Sequence, residues 1–533
     1  TLPLYPFSKK RFWMERRANS GDTIVRKGES EVDSNLNPRG FADTADVFST
    51  QWDELRKQTL SVANAQFKRW AAELDRTNLA PEVLSSHGLV EFGLGDWRLT
   101  VFIAPSAERL QEQVGAAQGN LFESIPLDFF TKQAKGLQPS LPAGFIHVKK
   151  SGTSVTSESE NLKNTSVKRL LNVHSARSLT MVFAGVGDQY RNMGAQLYKA
   201  HDVFRHAFDH CAHCLKETLG CDIREVLFKD ETMENREAMP EINLRAMLGR
   251  ENMSNSSTRS EDLVDGLEST VIVQPLVFAF DYSLAKMWME MGVMPDYLIG
   301  YSVGEYAAAC IAGVFSVEDA AMVVARRAQL ISELPEGGLM AIPLGVKDCE
   351  EFLGEDVFVG IASSEKQTIL SGTRDALDEV GDRLKTRGTV ARLLPGSHAY
   401  HSPLLQPICK PLESILGSME IREASIPLVS NVTGKPMTKE EAADPAYWSK
   451  HSCSTVRFAD GLGYLLGRGD LDFLELGPGR SLGSFVMQHS SFNREASHTV
   501  VSSVPGKWEK CPDERLALES FGILQLLGHK RAD

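Results

Sequence analysis

Leu298-Ile299-Gly300-Tyr301-Ser302-Val303-Gly304-Glu305 is the stretch whose reading decides the fold. Apolar, strand-like runs approach it, Val271-Ile272-Val273 and then Met294 to Ile299. The Ala-rich run Glu305 to Ala312 leaves it with the composition of a helix. A serine between two glycines at a strand-to-helix turn occupies a bend too tight for neighbouring Cβ atoms. Its Oγ then stands at a helix N-terminus, where developing negative charge is favoured. That geometry suits a serine that becomes acylated. A second Gly-x-Ser-x-Gly, Gly479-Arg480-Ser481-Leu482-Gly483, also follows an apolar run, Leu471 to Leu476, so at least one of the two serines is a decoy.

Outward from this turn the pattern is strand, glycine turn, helix. Thr180-Met181-Val182-Phe183-Ala184 reads as a strand running into Gly185-Val186-Gly187-Asp188-Gln189. Phe204, Phe208, Cys211 and Leu215 then form the apolar stripe of a helix. Repetition of that unit is the signature of a parallel α/β domain. Residues 338–397 differ. Leu339 to Leu344 reads as strand, Lys347 to Leu353 as helix, and Val357 to Ala362 and Gln367 to Ser371 as strands. Thr373 to Arg387 is again helical, and Val390 to Leu394 is a last strand. That βαββαβ order describes a ferredoxin-like unit inserted in the larger domain.

Length and composition bound the rest. A chain of 533 residues exceeds one core, so several domains or subdomains are expected. A net charge of −13 argues against a nucleic-acid surface, and no apolar run reaches a membrane span. The eight cysteines form no disulfide framework, and four of them, Cys310, Cys349, Cys409 and Cys453, are scattered singly, which predicts a reducing, cytoplasmic setting. The chain begins at Thr1 without methionine or an apolar leader and reads as a piece of a longer polypeptide. Residues 17–40 and 151–177 read as flexible linkers. Between them, 41–150 holds helix-like Gln51 to Leu74, strand-like Trp97 to Ala104 and helix-like Ser106 to Gly115, as a small α/β linker or unassigned domain. Trp52, Leu55, Leu60 and Trp70 read as a core or interface stripe.

The ordered blocks Phe183 to Tyr190, Gly300 to Ala309, His398-Ala-Tyr-His-Ser-Pro403, Ser430-Asn-Val-Thr-Gly434 and Leu474 to Arg480 resemble the acyltransferase domain of modular polyketide synthases. More distantly they resemble malonyl-CoA:acyl carrier protein transacylases. The resemblance covers roughly 178–505. It implies an α/β-hydrolase-like domain in two parts, 178–337 and 398–505, with 338–397 as the small subdomain and 506–533 as a C-terminal linker. Residues 1–16, with Leu2-Pro3-Leu4-Tyr5-Pro6-Phe7, look like the closing linker of a preceding unit.

The resemblance also implies a mechanism. Ser302 would be the nucleophile and His401 its general base, then acid. The Val303 backbone N–H would serve the oxyanion, and Arg327 would clamp the free carboxylate of a malonyl group. A planar guanidinium suits such a carboxylate. His398, Tyr400 and Tyr301 would line the acyl site, the first two within a tetrad of malonyl type. The acyl group would pass from a CoA thioester to the phosphopantetheine of an acyl carrier protein, beside a neighbouring ketosynthase. No resident cofactor, nucleic acid or membrane is expected.

Two positions depart from the family pattern. Tyr301 replaces a histidine before the nucleophile. Val186 replaces a glutamine that serves the oxyanion site, and its side chain donates nothing, whereas one such donor is worth ~3 kcal/mol. Gln189 and the amides of Gly187 and Asp188 are the candidate substitutes. An acyl-thioester hydrolase and a non-catalytic docking module therefore stand as alternatives.

Other features have plainer readings. Arg326 and Arg327 could be a solvated helix face. His398 and His401 lack a third metal ligand at sensible spacing. His210-Cys211-Ala212-His213-Cys214 has no second cysteine pair, and Cys211 continues the apolar stripe, so a packed helix is expected and no metal. Leu474 to Gly479 resembles a methyltransferase cofactor loop, but too little chain follows it for the rest of that fold.

Overall fold

The computed structural model describes residues 89–104, 143–150, 165–172, 177–228, 266–492 and 498–529. They fall into two compact units. The first comprises Thr1–Arg177, Trp288–Met294 and Ala517–Asp533. Its described part is an antiparallel meander of β1 (Leu89–Leu94), β2 (Trp97–Ala104), β3 (Ala143–Lys150) and β4 (Thr165–Asn172), paired in that order. Leu94, Trp97, Leu99, Val101 and Ile146 are buried. β4 lies inside the stretch 151–177 expected to be linker. Its polar start hid it, but it is an edge strand held by backbone pairing to β3. The helical readings at 51–74 and 106–115, the Trp52–Trp70 stripe and the segment 1–40 lie outside the described residues.

The second unit, Ser178–Met287 and Pro295–Leu516, carries two sheets. The larger is parallel and is built from β5 (Ser178–Phe183), β6 (Tyr297–Gly300), β11 (Leu428–Val429), β12 (Leu471–Pro478) and β13 (Thr499–Val504). Their order across the sheet is β11-β6-β5-β12-β13. β12 is buried along its whole length and β5 at all but its first residue, as expected of parallel strands covered on both faces. The helices that matter below are α1 (Asp202–Leu219), α2 (Thr270–Glu290), α3 (Gly304–Ile311), α4 (Val317–Ser332), α5 (Arg374–Thr386), α6 (Pro445–Cys453), α7 (Phe458–Leu466), α8 (Ser481–Gln488) and α9 (Asp513–Leu526).

Two of these correct the sequence reading. Val271-Ile272-Val273, expected as a strand, is in the first turns of α2. A β-branched run mimics a strand, but α2 is apolar nearly all round and buried, so packing overrides propensity. α9 occupies much of the expected C-terminal linker. α1 follows its predicted stripe, with Phe204, Phe208, Cys211 and Leu215 all fully buried.

The smaller sheet is antiparallel and is built from β7 (Gly338–Ile342), β8 (Val357–Ser364), β9 (Gln367–Gly372) and β10 (Arg392–Leu393). Their order is β10-β7-β9-β8. Leu377, Val380 and Leu384 of α5 pack on Met340, Ile342 and Leu370. The helix expected at 347–353 is a 3₁₀ helix, Val346–Phe352, and the last strand is shorter than expected. No helix among the described residues is long and apolar enough to cross a membrane.

Candidate active site

β5 and β6 are neighbours, with Phe183 opposite Gly300, so both of their C-terminal loops open at one edge of the parallel sheet. Crevices at that edge are where such sheets bind ligands. The loop after β6 is the turn the sequence singled out. A Cβ on Gly300 would lie 2.1 Å from the Glu305 nitrogen, and one on Gly304 would lie 2.5 Å from the carbonyl oxygens of Phe183 and Ala184. Only glycine fits either place. Ser302 itself is held at φ 57°, a left-handed conformation that costs a non-glycine residue about 1–2 kcal/mol.

Asn431, just past β11, braces that strained turn from both sides. Its Oδ1 accepts the Ser302 N–H at 2.9 Å, and its Nδ2 donates to the Gly300 carbonyl at 2.8 Å. Glu305 in turn accepts the Asn431 N–H at 2.6 Å and the Tyr447 hydroxyl at 2.5 Å. Burial raises the Glu305 carboxyl to about 8, against the opposing pull of those two donors.

Ser302 Oγ lies 2.6 Å from Nε2 of His401. His401 also has a left-handed backbone, at φ 59°, and is only 1% exposed. With Nε2 facing the serine hydroxyl, its Nδ1–H donates to the carbonyl oxygen of His451 at 3.3 Å. Burial, and next the Arg327 charge, lower the His401 pKa to about 3. The imidazole is therefore neutral at physiological pH, the form that can take a proton.

The two Gly-x-Ser-x-Gly turns part company here. Ser481 is exposed at the start of α8. Behind it, the Glu475 carboxyl oxygens accept the Leu482 and Gly483 N–H groups, both at 2.9 Å. The chain's own carboxyl group thus fills that helix N-terminus. At Ser302 the Val303 N–H has no acceptor among the described residues.

The loop after β5 runs beside Ser302. A Cβ on Gly185 would sit 2.7 Å from the Tyr301 carbonyl oxygen and 3.6 Å from Ser302 Cβ. The Val186 side chain is 43% exposed, and its backbone N–H has no acceptor among the described residues. Gln189 is turned into its own loop. Its Oε1 accepts the Gly187 N–H at 2.7 Å, and its Nε2 reaches the Leu267 carbonyl at 3.4 Å.

Of the two arginines on α4, Arg326 is exposed, whereas Arg327 is 1% exposed. Arg327 Nε donates to Ser452 Oγ at 3.0 Å and Nη1 donates to Gln274 Oε1. Nη2 has no hydrogen-bond partner, and no carboxylate lies within ion-pair reach among the described residues. Tyr400 joins this corner by its hydroxyl, 2.7 Å from Thr270 Oγ1. Burial raises its pKa, while Thr270, Arg327 and Gln274 pull the other way. His398 is buried beside Tyr400, with Nδ1 2.9 Å from Ser397 Oγ, and burial lowers its pKa. Tyr301 points away from the dyad. Its hydroxyl is 2.8 Å from Ser363 Oγ on β8, and its ring packs edge-on to Phe458 at 5.1 Å.

A model of the acyl transferase domain family matches residues 180–513. This chain belongs to that family, in its polyketide-synthase form. The acyl transferase chain is 32% identical over 352 residues to the phenolphthiocerol synthesis polyketide synthase type I Pks15/1 of Mycobacterium marinum, covering 66% of this chain and 15% of that protein. It is 32% identical over 332 residues to polyketide synthase GfsA of Streptomyces halstedii, covering 62% of this chain and 4% of that protein. It therefore spans 15% or less of these relatives' length. Among solved structures, the acyl transferase domain of SpnD in complex with 2-(pent-4-yn-1-yl)malonyl superposes with TM-score 0.64 at 29% identity, covering 80% of this chain and 96% of that one. The acyltransferase domain from the second module of the salinomycin polyketide synthase gives 0.58 at 27%, covering 81% and 93%.

Sequence reasoning did not single out Asn431, Gln274, Ser452 or the His451 carbonyl. Asn431 stood inside a quoted block, whereas Gln274 directly follows the run 271–273 that reads as a strand, so its place on a buried helix was hidden. Nothing local marked Ser452 or His451, since their roles depend on where α6 packs.

Proposed function

We propose that this acyl transferase domain moves a dicarboxylic acyl group, malonyl being the reading favoured by the sequence, from CoA to the phosphopantetheine thiol of an acyl carrier protein. An ester on Ser302 is the intermediate. The supporting observation is a buried guanidinium with only neutral partners, in the same unit as a Ser302–His401 pair at 2.6 Å. A buried cation without a counter-charge is unfavourable, and a substrate carboxylate relieves that cost.

In the first half-reaction His401 Nε2 takes the Ser302 proton as Oγ attacks the thioester carbonyl. The tetrahedral oxyanion is received by main-chain donors, the Val303 N–H and the Val186 N–H. Both are backbone groups, so valine in place of glutamine at 186 leaves this pair of donors intact. Protonated His401 then gives its proton to the departing CoA sulfur. In the second half-reaction the carrier thiol gives a proton to His401 and attacks the ester carbonyl; as the tetrahedral intermediate collapses, His401 returns that proton to the departing Ser302 Oγ. The His451 carbonyl keeps His401 in the tautomer that each step uses. His398 and Tyr400 line the acyl site beside Arg327. The small antiparallel sheet is the ferredoxin-like subdomain of this reading, and the parallel sheet its hydrolase-like part.

The test is intact-protein mass after brief exposure to acetyl-, malonyl- and methylmalonyl-CoA, for wild type and Ser302→Ala. A malonyl-sized increment that is absent in the variant is expected. No increment with either dicarboxylic acyl-CoA would overturn the reading in favour of a docking module. Free malonate released without carrier protein, as fast as the ester forms, would favour a hydrolase.

A further inference from the structure

Away from the acyl site, His210 and Cys214 of α1 and Glu318 of α4 bring an imidazole nitrogen, a thiol sulfur and a carboxylate oxygen within 4.8 Å of one another. The sequence had offered only a Cys-x-x-Cys, and that pair does not meet the case, because Cys211 is buried in the helix interface. The useful spacing is His210 to Cys214, one helical turn, which stacks two side chains on one face. The third group comes from the neighbouring helix, which spacing within one helix cannot reveal. His210 Nε2 already lies 2.8 Å from Glu318 Oε1. Farther along the same two helices, Gln329 Nε2 donates to the Thr218 carbonyl at 2.7 Å. α1 and α4 are thus tied together at a second place, and the backbone carrying the three groups is held in register.

We infer that His210, Cys214 and Glu318 form a Zn²⁺ site that clips α1 to α4. Thiolate and imidazole together select a borderline-soft ion over Mg²⁺ or Ca²⁺, which want oxygen ligands. Zinc holds nitrogen and oxygen at about 2.0–2.2 Å and sulfur at about 2.3 Å, so the three atoms need only small rotamer adjustments around the ion. The direct His210–Glu318 contact opens as the ion enters between them. Three protein ligands leave a fourth position for water. Binding replaces the thiol proton by a metal–sulfur bond and releases that proton to solvent. None of the three groups hydrogen-bonds to Ser302, His401 or Arg327, so the site stands apart from acyl transfer.

The test uses the full chain without an affinity tag, stripped with chelator and titrated with Co²⁺ as a spectroscopic stand-in for Zn²⁺. One equivalent should bind with a thiolate-to-cobalt charge-transfer band that Zn²⁺ abolishes. Cys214→Ala and His210→Ala should lose the band, and Glu318→Gln should weaken binding at least roughly tenfold. Unchanged circular dichroism would show that the variants are folded. Zn²⁺ should also slow alkylation of Cys214 in the wild type. Binding without the band, or a band that survives Cys214→Ala, would overturn the assignment.

Discussion

At the scale of single residues, the proposed acyl transfer rests on two buried groups, His401 and Arg327. His401 is neutral because burial and the Arg327 charge hold its pKa near 3. Its protonation therefore does not limit acylation between pH 8 and pH 5. The rate of ester formation from malonyl-CoA, measured by quenched-flow mass spectrometry, should be flat across that range. A fall with an apparent pKa near 6.5 would show that the imidazole has its ordinary basicity. Arg327 has a donor, Nη2, left over after Ser452 and Gln274 are served. Arg327→Ala should lower kcat/KM for malonyl loading at least roughly tenfold, the worth of a charge-assisted hydrogen bond, while acetyl loading is kept or gains. Equal loss of both would remove the clamp assignment. The sequence could name Arg327 only by resemblance. Arg326 next to it is equally charged, and burial alone separates them.

At the scale of elements, the tyrosine that replaces the usual histidine links two sheets. Tyr301 leaves β6 and ends against Ser363 of β8, with its ring among Phe458 of α7 and Phe485 of α8. It fastens the turn that carries Ser302 to the small antiparallel sheet. Tyr301→Phe keeps the ring packing but strands the buried Ser363 hydroxyl. The expected cost is about 1–2 kcal/mol in denaturant unfolding, with the malonyl adduct still formed. Unchanged stability would mean that the hydroxyl contact contributes nothing. The elbow, the β5 strand and the α1 stripe were legible because glycine spacing and helical period are local signals. The edge strand β4 and the start of α2 were misread because a polar strand and a β-branched helix each contradict local propensity.

At the scale of the whole second unit, buried acids set the dependence of stability on pH. Burial raises Glu305 and Glu475 from about 4.5 to about 8, and Asp281 well above its ordinary value. The folded chain then holds protons that the unfolded chain has released. Stability is lost as pH rises from the ordinary carboxylate range through 8. The buried His201, His401 and His451, all lowered by desolvation, act in the opposite sense, but only below about pH 6.5. Tm should therefore drop by roughly a few degrees between pH 6.5 and pH 8.5, and by less in Glu305→Gln. A Tm that rises over that interval would contradict these protonation states. The sequence by itself determined the parallel α/β unit, the strand-turn-helix that displays Ser302, and the histidine block containing His401. Each is written in contiguous residues whose spacing fixes backbone geometry. The tertiary structure alone decided which serine meets a histidine, which arginine is buried without a counter-charge, and which carboxylate joins His210 and Cys214. Those depend on residues far apart in the chain, brought together when helices pack across the ends of a sheet.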